Sequence, residues 1–432
     1  MERERTEDSA GTARRAGPPA KGGGHAVRAL RHRNFRLYFA GQAMSMLGTW
    51  IQQVALSWLV YRLTGSSLLL GVTAFLSQAP QLVVGPIAGA WVDRHDRRRL
   101  LLIVQIVLAV QALGLSALTF ADAIGPGLIV AMSLVLGVLN SFDAPLRQSL
   151  LSQLVPERAD LANAIALNAL LVNSARFIGP PVAGLLVAAT GEAVCFALNA
   201  LSFLALIAAL SRVRVANSGR SGGSLGTVFR EGLAYAWGTY PTRTLLAMVV
   251  VVNLLATPYA VLMPVFAREV FQGGAQTLGW LLGAAGVGAL GAAAFLATRR
   301  SAGGLAGMVA LGSLTAAAGL AAFSLSTRLE LALPLMVAVG FGITCSNVSC
   351  NTTLQSIVPE HLRGRVISLF TASLFGMQAV GGLLAGSVAD RLGAPLTLLS
   401  GALLLLSAGL WFVSRLGVLQ RSIGIAHSGQ AL

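Results

Sequence analysis

The chain has 432 residues, 55% of them hydrophobic and only 11% charged, with a mean hydropathy of +0.74. Soluble domains carry about a quarter charged residues, so this composition excludes a chain whose only solvent is water. The net charge of +15 raises nucleic-acid binding, but the basic residues sit in short segments between apolar runs without interleaved aromatics, and no nucleic-acid partner is expected.

Residues 1–34 are polar, Gly-rich and Arg-rich and lack the apolar core of a signal peptide, so they are expected to form a disordered tail. Apolar runs then recur to the end of the chain. Each is long enough to cross a bilayer as a helix, which takes roughly 20 residues. Splitting them at Gly, Pro and charge clusters predicts helices over 35–61, 68–92, 99–121, 126–152, 160–189 and 191–211. A polar segment, 212–243, separates these from six more, over 244–271, 276–298, 303–325, 331–355, 363–389 and 394–415, followed by a short tail, 416–432. The expected fold is therefore an all-α membrane protein of twelve transmembrane helices. Its parts are an N-terminal bundle of six (35–211), a central loop (212–243) and a C-terminal bundle of six (244–415).

Arginine decides the orientation. The first tail, the turn with Arg94, Arg97, Arg98 and Arg99, and the turn between Arg147 and Arg158 fall on one side. The central loop, Arg299, Arg300, Arg363, Arg365, Arg415 and Arg421 join them. Only Arg62, Arg268, Arg328 and Arg391 fall on the other. Both termini and the central loop are thus expected in the cytoplasm.

The two halves share an internal repeat. SLLSQLVPE at 149–157 corresponds to TTLQSIVPE at 352–360, an offset of 203, and Leu70-Gly71 echoes Leu278-Gly279. A pseudo-symmetric pair of six-helix bundles is one of the architectures of secondary transport, with the substrate near the midplane between rocking halves.

At the end of the second predicted span stands GAWVDRHDRRR. Its Gly89, Asp93, Arg94, Arg97 and Arg98 resemble the signature of the major facilitator superfamily. The glycine admits a neighbouring helix, and Asp93 and Arg97 share a helical face. RNFRLYFAGQ, GTWIQQVALSWLVYRLTGSSLLLG, FDAPLRQSLLSQLVPERADLANAIALN and NSARFIGPPVAGLL are similar to the enterobactin-exporter branch, also described as transmembrane secretion effectors. The resemblance implies the major facilitator fold in a bacterial inner membrane and a gating role for the charged turn, with Asp143 joining it. It also implies a monomeric secondary transporter that exports a small siderophore-like or drug-like amphiphile in exchange for protons. Lysophospholipid transport and uptake symport are the alternatives on the same fold.

Inside the spans, a charge is costly and by default functional. Arg176 on the fifth span is the clear instance, lying near Asn173 and before Gly179-Pro180-Pro181. It either lines the cavity, where it meets an anionic substrate group or biases the protonation of an acid by charge proximity, or pairs with Asp143. Asn140, Asn173, Gln52 and Gln53 are further cavity candidates, with interhelical hydrogen bonding as the competing role. Trp58 and Tyr61 are expected in an interfacial aromatic belt. Gly283, Gly286, Gly288 and Gly291 form a seam for close helix approach. Cys195, Cys345 and Cys350 show no CxxC spacing, and the five histidines form no HExxH. The single lysine, Lys21, does not stand in a phosphate-binding loop. No metal, cofactor or catalytic residue is expected, and the chain is read as a transporter, not an enzyme.

Overall fold

The structure is a computed structural model and describes residues 28–92, 95–155, 157–213, 233–299 and 304–429. The described residues are almost wholly helical. A short 3-10 turn, Arg28–Arg31, leads into α1 (Arg33–Thr64), α2 (Ser67–Gln78), α3 (Pro80–Val92), α4 (Arg97–Phe120), α5 (Pro126–Leu154), α6 (Arg158–Thr190) and α7 (Glu192–Arg212). The second half comprises α8 (Tyr240–Leu255), α9 (Tyr259–Val265) with a π turn at Phe266–Val270, α10 (Ala275–Ala297) and α11 (Leu305–Leu325). It ends with α12 (Leu329–Ile357), α13 (Glu360–Leu392) and α14 (Ala394–Gly429).

The differences from the expected spans have local causes. The second span is two helices, because Pro80 offers no amide to the carbonyl of Leu76 and its ring crowds that turn. The seventh breaks in the same way before Pro258 and continues as α9 and the π turn. The last helix carries on to Gly429, past the boundary expected at 415. The polar segment is helical over 233–238 and from Tyr240 onward, so the loop is shorter than expected, and its residues 214–232 lie outside the described residues. The first tail likewise ends early, since residues 28–34 are already ordered into the 3-10 turn and the start of α1.

Eleven described helical spans are long and apolar enough to cross a membrane, with Ser67–Gly85 (α2 into α3) and Tyr240–Val270 (α8, α9 and the π turn) each taken as one. The twelfth expected span, α1, is 32 residues long, but Gln42, Gln52 and Gln53 keep its hydropathy low. That polarity is absorbed by helix packing, described below.

Corners recur at repeat-related positions. Gly191 and Gly393, 202 residues apart, end α6 and α13 with φ of +83° and +81°. A side chain there would strain the backbone.

The halves meet along two seams, α2 against α13 and α6 against α10. Both are built on glycine pairs. A β-carbon on Gly71 would stand 2.8 Å from the Gly382 carbonyl oxygen and 3.2 Å from Gly386 Cα. One on Gly184 would stand 2.6 Å from the Ala275 carbonyl oxygen and 2.9 Å from Gly279 Cα. Among apolar helices, close backbone approach at small residues replaces hydrophobic burial as the source of association. Gly71 and Gly279, the two members of the Leu-Gly echo, are thus the same device used twice. The expected glycine seam on α10 divides: Gly283 and Gly286 face Pro181 and Phe177 of α6, whereas Gly288 faces Val337 and Phe341 of α12. Gly291 makes only ordinary contact with Phe341.

Both seams run from the arginine-poor end only to the middle of the helices, ending near Gly376 against Leu82 and Gly286 against Phe177. The buried core divides accordingly. One cluster joins the second half to the arginine-poor part of the first, including Val60, Leu70, Val187 and Phe196. A separate cluster, with Phe35, Leu101, Leu150 and Leu206, fills the arginine-rich end of the first half.

Candidate functional site

Three polar groupings are built from α1, α4, α5, α6 and α7. The first is a charge cluster toward the arginine-rich end. Asp143 and Arg147 lie one helical turn apart on α5 and form an ion pair, Nε to Oδ2 2.5 Å. Gln105 of α4 donates to the other carboxylate oxygen at 2.5 Å and accepts from Arg147 Nη2 at 3.3 Å. Arg147 Nη1 donates to Gln42 of α1, and the guanidinium also reaches the Tyr38 hydroxyl. Gln42, Gln105 and Tyr38 are fully buried. Every arm of the ion pair is therefore satisfied, which is what makes a charge pair tolerable inside a bundle. Asp143, expected to join the charged turn, is committed to this cluster. It does not pair with Arg176.

The charged turn itself is partly visible. Gly89 lies in α3 and Arg97 opens α4, while Asp93 and Arg94 lie outside the described residues. Asp96 caps α4 by accepting from the Arg99 amide at 3.0 Å. Arg98 donates from Nε to the Leu210 carbonyl at 2.7 Å and from Nη2 to the Ser211 carbonyl at 2.8 Å, closing the carbonyl end of α7. Trp91 packs edge-on against Phe142, 5.7 Å between centroids, linking this turn to the residue before Asp143.

The second grouping corrects one cavity expectation. Gln52 is buried inside the first half: its amide donates to Gln111 at 3.2 Å and its oxygen accepts from Asn199 at 2.7 Å. Gln111 donates on to the Met132 carbonyl. Adjacent residues on a helix point about 100° apart, so when Gln52 turns inward its neighbour Gln53 turns to the exposed face.

The third grouping lies where the halves meet. Arg176 on α6 is exposed, its guanidinium carbon 5.9 Å from the centroid of the Trp50 ring on α1. Tyr259 of α9, from the other half, is within electrostatic reach. No carboxylate among the described residues forms an ion pair with Arg176. Asn173, one turn earlier on α6, is exposed and bonds back to the Ala169 carbonyl at 2.8 Å. Asn140 on α5 is half-buried.

Residues missed in the sequence close the arginine-poor end. The Tyr61 hydroxyl of α1 donates to Glu269 in the π turn. Asp390, at the end of α13, accepts from the Ser66 hydroxyl at 3.2 Å and the Leu68 amide at 3.4 Å. Among the described residues these are the hydrogen bonds that join the halves. Tyr61 is 2% exposed and belongs to this lock instead of an aromatic belt at the lipid surface. The available signal was the rarity of acids: few stand at the ends of spans on the arginine-poor side, and Glu269 and Asp390 are two of them.

At the opposite end, the turn before α1 is fastened to α6. Arg28 Nε lies 2.8 Å and His32 Nε2 3.0 Å from Asp160, and the Ala29 amide donates to Asn163 at 2.9 Å. His32, Glu157 and Asp160 bring ligand atoms within 4.8 Å, but the Arg28 guanidinium already neutralises Asp160, so the group reads as a clasp.

The chain matches the family of transmembrane secretion effectors over residues 25–423. It is 30% identical to a multidrug efflux pump, Tap, of Mycolicibacterium fortuitum over 84% of this chain and 90% of that protein. It is 24% identical to a staphyloferrin A transporter of Staphylococcus aureus over 83% and 90%. Among solved structures, the nucleoside transporter NupG superposes with a TM-score of 0.71 at 12% identity, covering 89% of this chain and 98% of that one. A bacterial homologue of the iron transporter ferroportin in an inward-facing state gives 0.65 at 15% identity, covering 92% and 99%. With a family match over almost the whole chain and two packed halves of apolar helices, the chain belongs to the transmembrane secretion effectors of the major facilitator superfamily, a family of multi-pass membrane transporters.

Proposed function

We propose that this transporter exports small amphipathic molecules of the drug or siderophore type in exchange for protons, acting as a monomer with α1 as its twelfth span. The observation that carries the reading is the placement of every described inter-half hydrogen bond and glycine approach in the arginine-poor half of the molecule. By the arginine bias that half faces outward and both termini are cytoplasmic. The state described is then shut to the outside and parted toward the cytoplasm, the loading state of an exporter. Relatives named for drug efflux and siderophore transport support the direction and the cargo class. Arg176, Asn173, Asn140 and Gln53 contribute to the substrate path. Gly89, Asp93, Arg94, Arg97 and Arg98 gate its cytoplasmic mouth.

The test is efflux of hydrophobic dyes and catechol siderophores from cells producing the protein, with and without collapse of the proton gradient, alongside Asp93→Asn. Export is expected to stop in both cases. Export that survives collapse replaces protons by another driving force. Export of no compound moves the reading to lysophospholipid transport or uptake.

A further inference from the structure

Among the described residues, one mid-helix positive charge between the halves forms no ion pair. Every described acid other than Asp143 falls in a turn or in the terminal turn of its helix. Asp143 is neutralised by Arg147 and saturated by Gln105. Arg176 lies mid-helix on α6, and no described carboxylate forms an ion pair with it. Its guanidinium carbon stands over the Trp50 ring, 5.9 Å from the centroid. A cation–π contact satisfies none of the N–H groups, so these donors stay available for a planar oxyanion. Tyr259 of the second half lies within electrostatic reach of Arg176, so a ligand on Arg176 sits where the halves meet. The position is also mechanically placed: Phe177, the next residue, packs against Gly286 at the inner limit of the α6–α10 seam.

We propose that this transporter selects anionic aromatic amphiphiles, held by a carboxylate, sulfonate or phosphate on Arg176 with their ring beside Trp50, and that it discriminates against lipophilic cations. A cation between the halves meets a like charge and, among the described mid-helix residues, no acid without a partner, whereas an anion gains a charge-assisted contact from Arg176. The proposal rests on the transport reading for its direction but is decided by binding, so the two can fail separately.

The probes are carboxyfluorescein, anionic, and ethidium, cationic, titrated by fluorescence anisotropy against the purified full chain and followed in parallel for export from vesicles. Losing one charge-assisted hydrogen bond weakens binding by about tenfold. Arg176→Gln is therefore expected to weaken carboxyfluorescein by about that factor and, with the like charge gone, to strengthen ethidium. Arg176→Lys should retain part of the affinity, and Arg176→Glu should reverse the preference. Trp50→Leu should weaken the aromatic anion more than an aliphatic one such as decyl sulfate. Ethidium binding as tightly as carboxyfluorescein to the unaltered chain, or anion affinity indifferent to Arg176→Gln in a protein with unchanged melting, overturns the proposal. Arg176-dependent anion binding without export upholds it and removes the transport reading instead.

Discussion

Arg147 is the residue whose loss of a partner should cost most. Its side chain is 11% exposed and its partner Asp143 15%, so deleting the acid strands a guanidinium in a low-dielectric bundle. Asp143→Leu is expected to destabilise by about 3 kcal/mol, and the double change with Arg147→Met to recover most of that loss, because no charge is then left behind. Thermal melts of the four proteins in detergent form the cycle, and equal destabilisation by the single and the double variant would show that the pair is solvated. The partner was legible: an acid and an arginine four apart on one helix face is the ordinary intrahelical ion pair. Family resemblance drew Asp143 toward the charged turn instead. The hydrogen-bond partners of Gln42 and Gln52 were not legible, because a glutamine in an apolar run reports that a partner exists but not which helix supplies it.

Among elements, α6 carries most of the functional positions. Helix glycines differ by what a side chain would meet, and Gly184 of α6 and Gly114 of α4 give a matched comparison. Gly184→Val drives side-chain atoms against the Ala275 carbonyl, a backbone atom that cannot turn aside. Gly114→Val on α4 meets nothing within 4 Å. The first change is expected to part the α6–α10 seam and abolish export while protein abundance stays normal; the second should leave both unaltered. Disulfide formation between Ser66→Cys and Asp390→Cys, whose native side chains lie 3.2 Å apart, in a background without the three native cysteines, reads the α2–α13 seam, where Gly71→Val meets the Gly382 carbonyl, and undiminished cross-linking in Gly71→Val would contradict the account. Much of this element was readable in advance. Gly179-Pro180-Pro181-Val182-Ala183-Gly184 has a counterpart 202 residues later in Gly381-Gly382-Leu383-Leu384-Ala385-Gly386. That match places a seam glycine at the same point of both halves, and it is masked in the sequence because prolines replace the second glycine and the first leucine.

At the scale of the whole molecule, two repeat-related seams are locked at one end by acids from the second half only. Tyr61→Phe removes the hydrogen bond to Glu269, and Asp390→Asn removes a charge from the acceptor of Ser66 and Leu68. A net hydrogen bond contributes about 1 kcal/mol, so each change is expected to raise the ratio of outward-open to outward-closed protein about fivefold, and the pair about twenty-five-fold if independent. Spin-label distances across the arginine-poor end measure the populations; a distribution unmoved by the double variant would leave the lock with no energetic role. The two-half architecture was visible in the repeat and in the alternation of arginine-rich turns. The state of the molecule was not, since one sequence encodes every state of the cycle and the choice between them rests on a few hydrogen bonds at helix ends.

The clasp between Arg28, His32 and Asp160 has a practical consequence. Whatever is joined ahead of Arg28 pulls, through that clasp, on the first turn of the helix that bears Arg176 and the Gly184 contact. A fluorescent protein or affinity handle fused at the front of the chain is therefore tethered to a moving part, while one fused behind α14 hangs from a helix outside both seams.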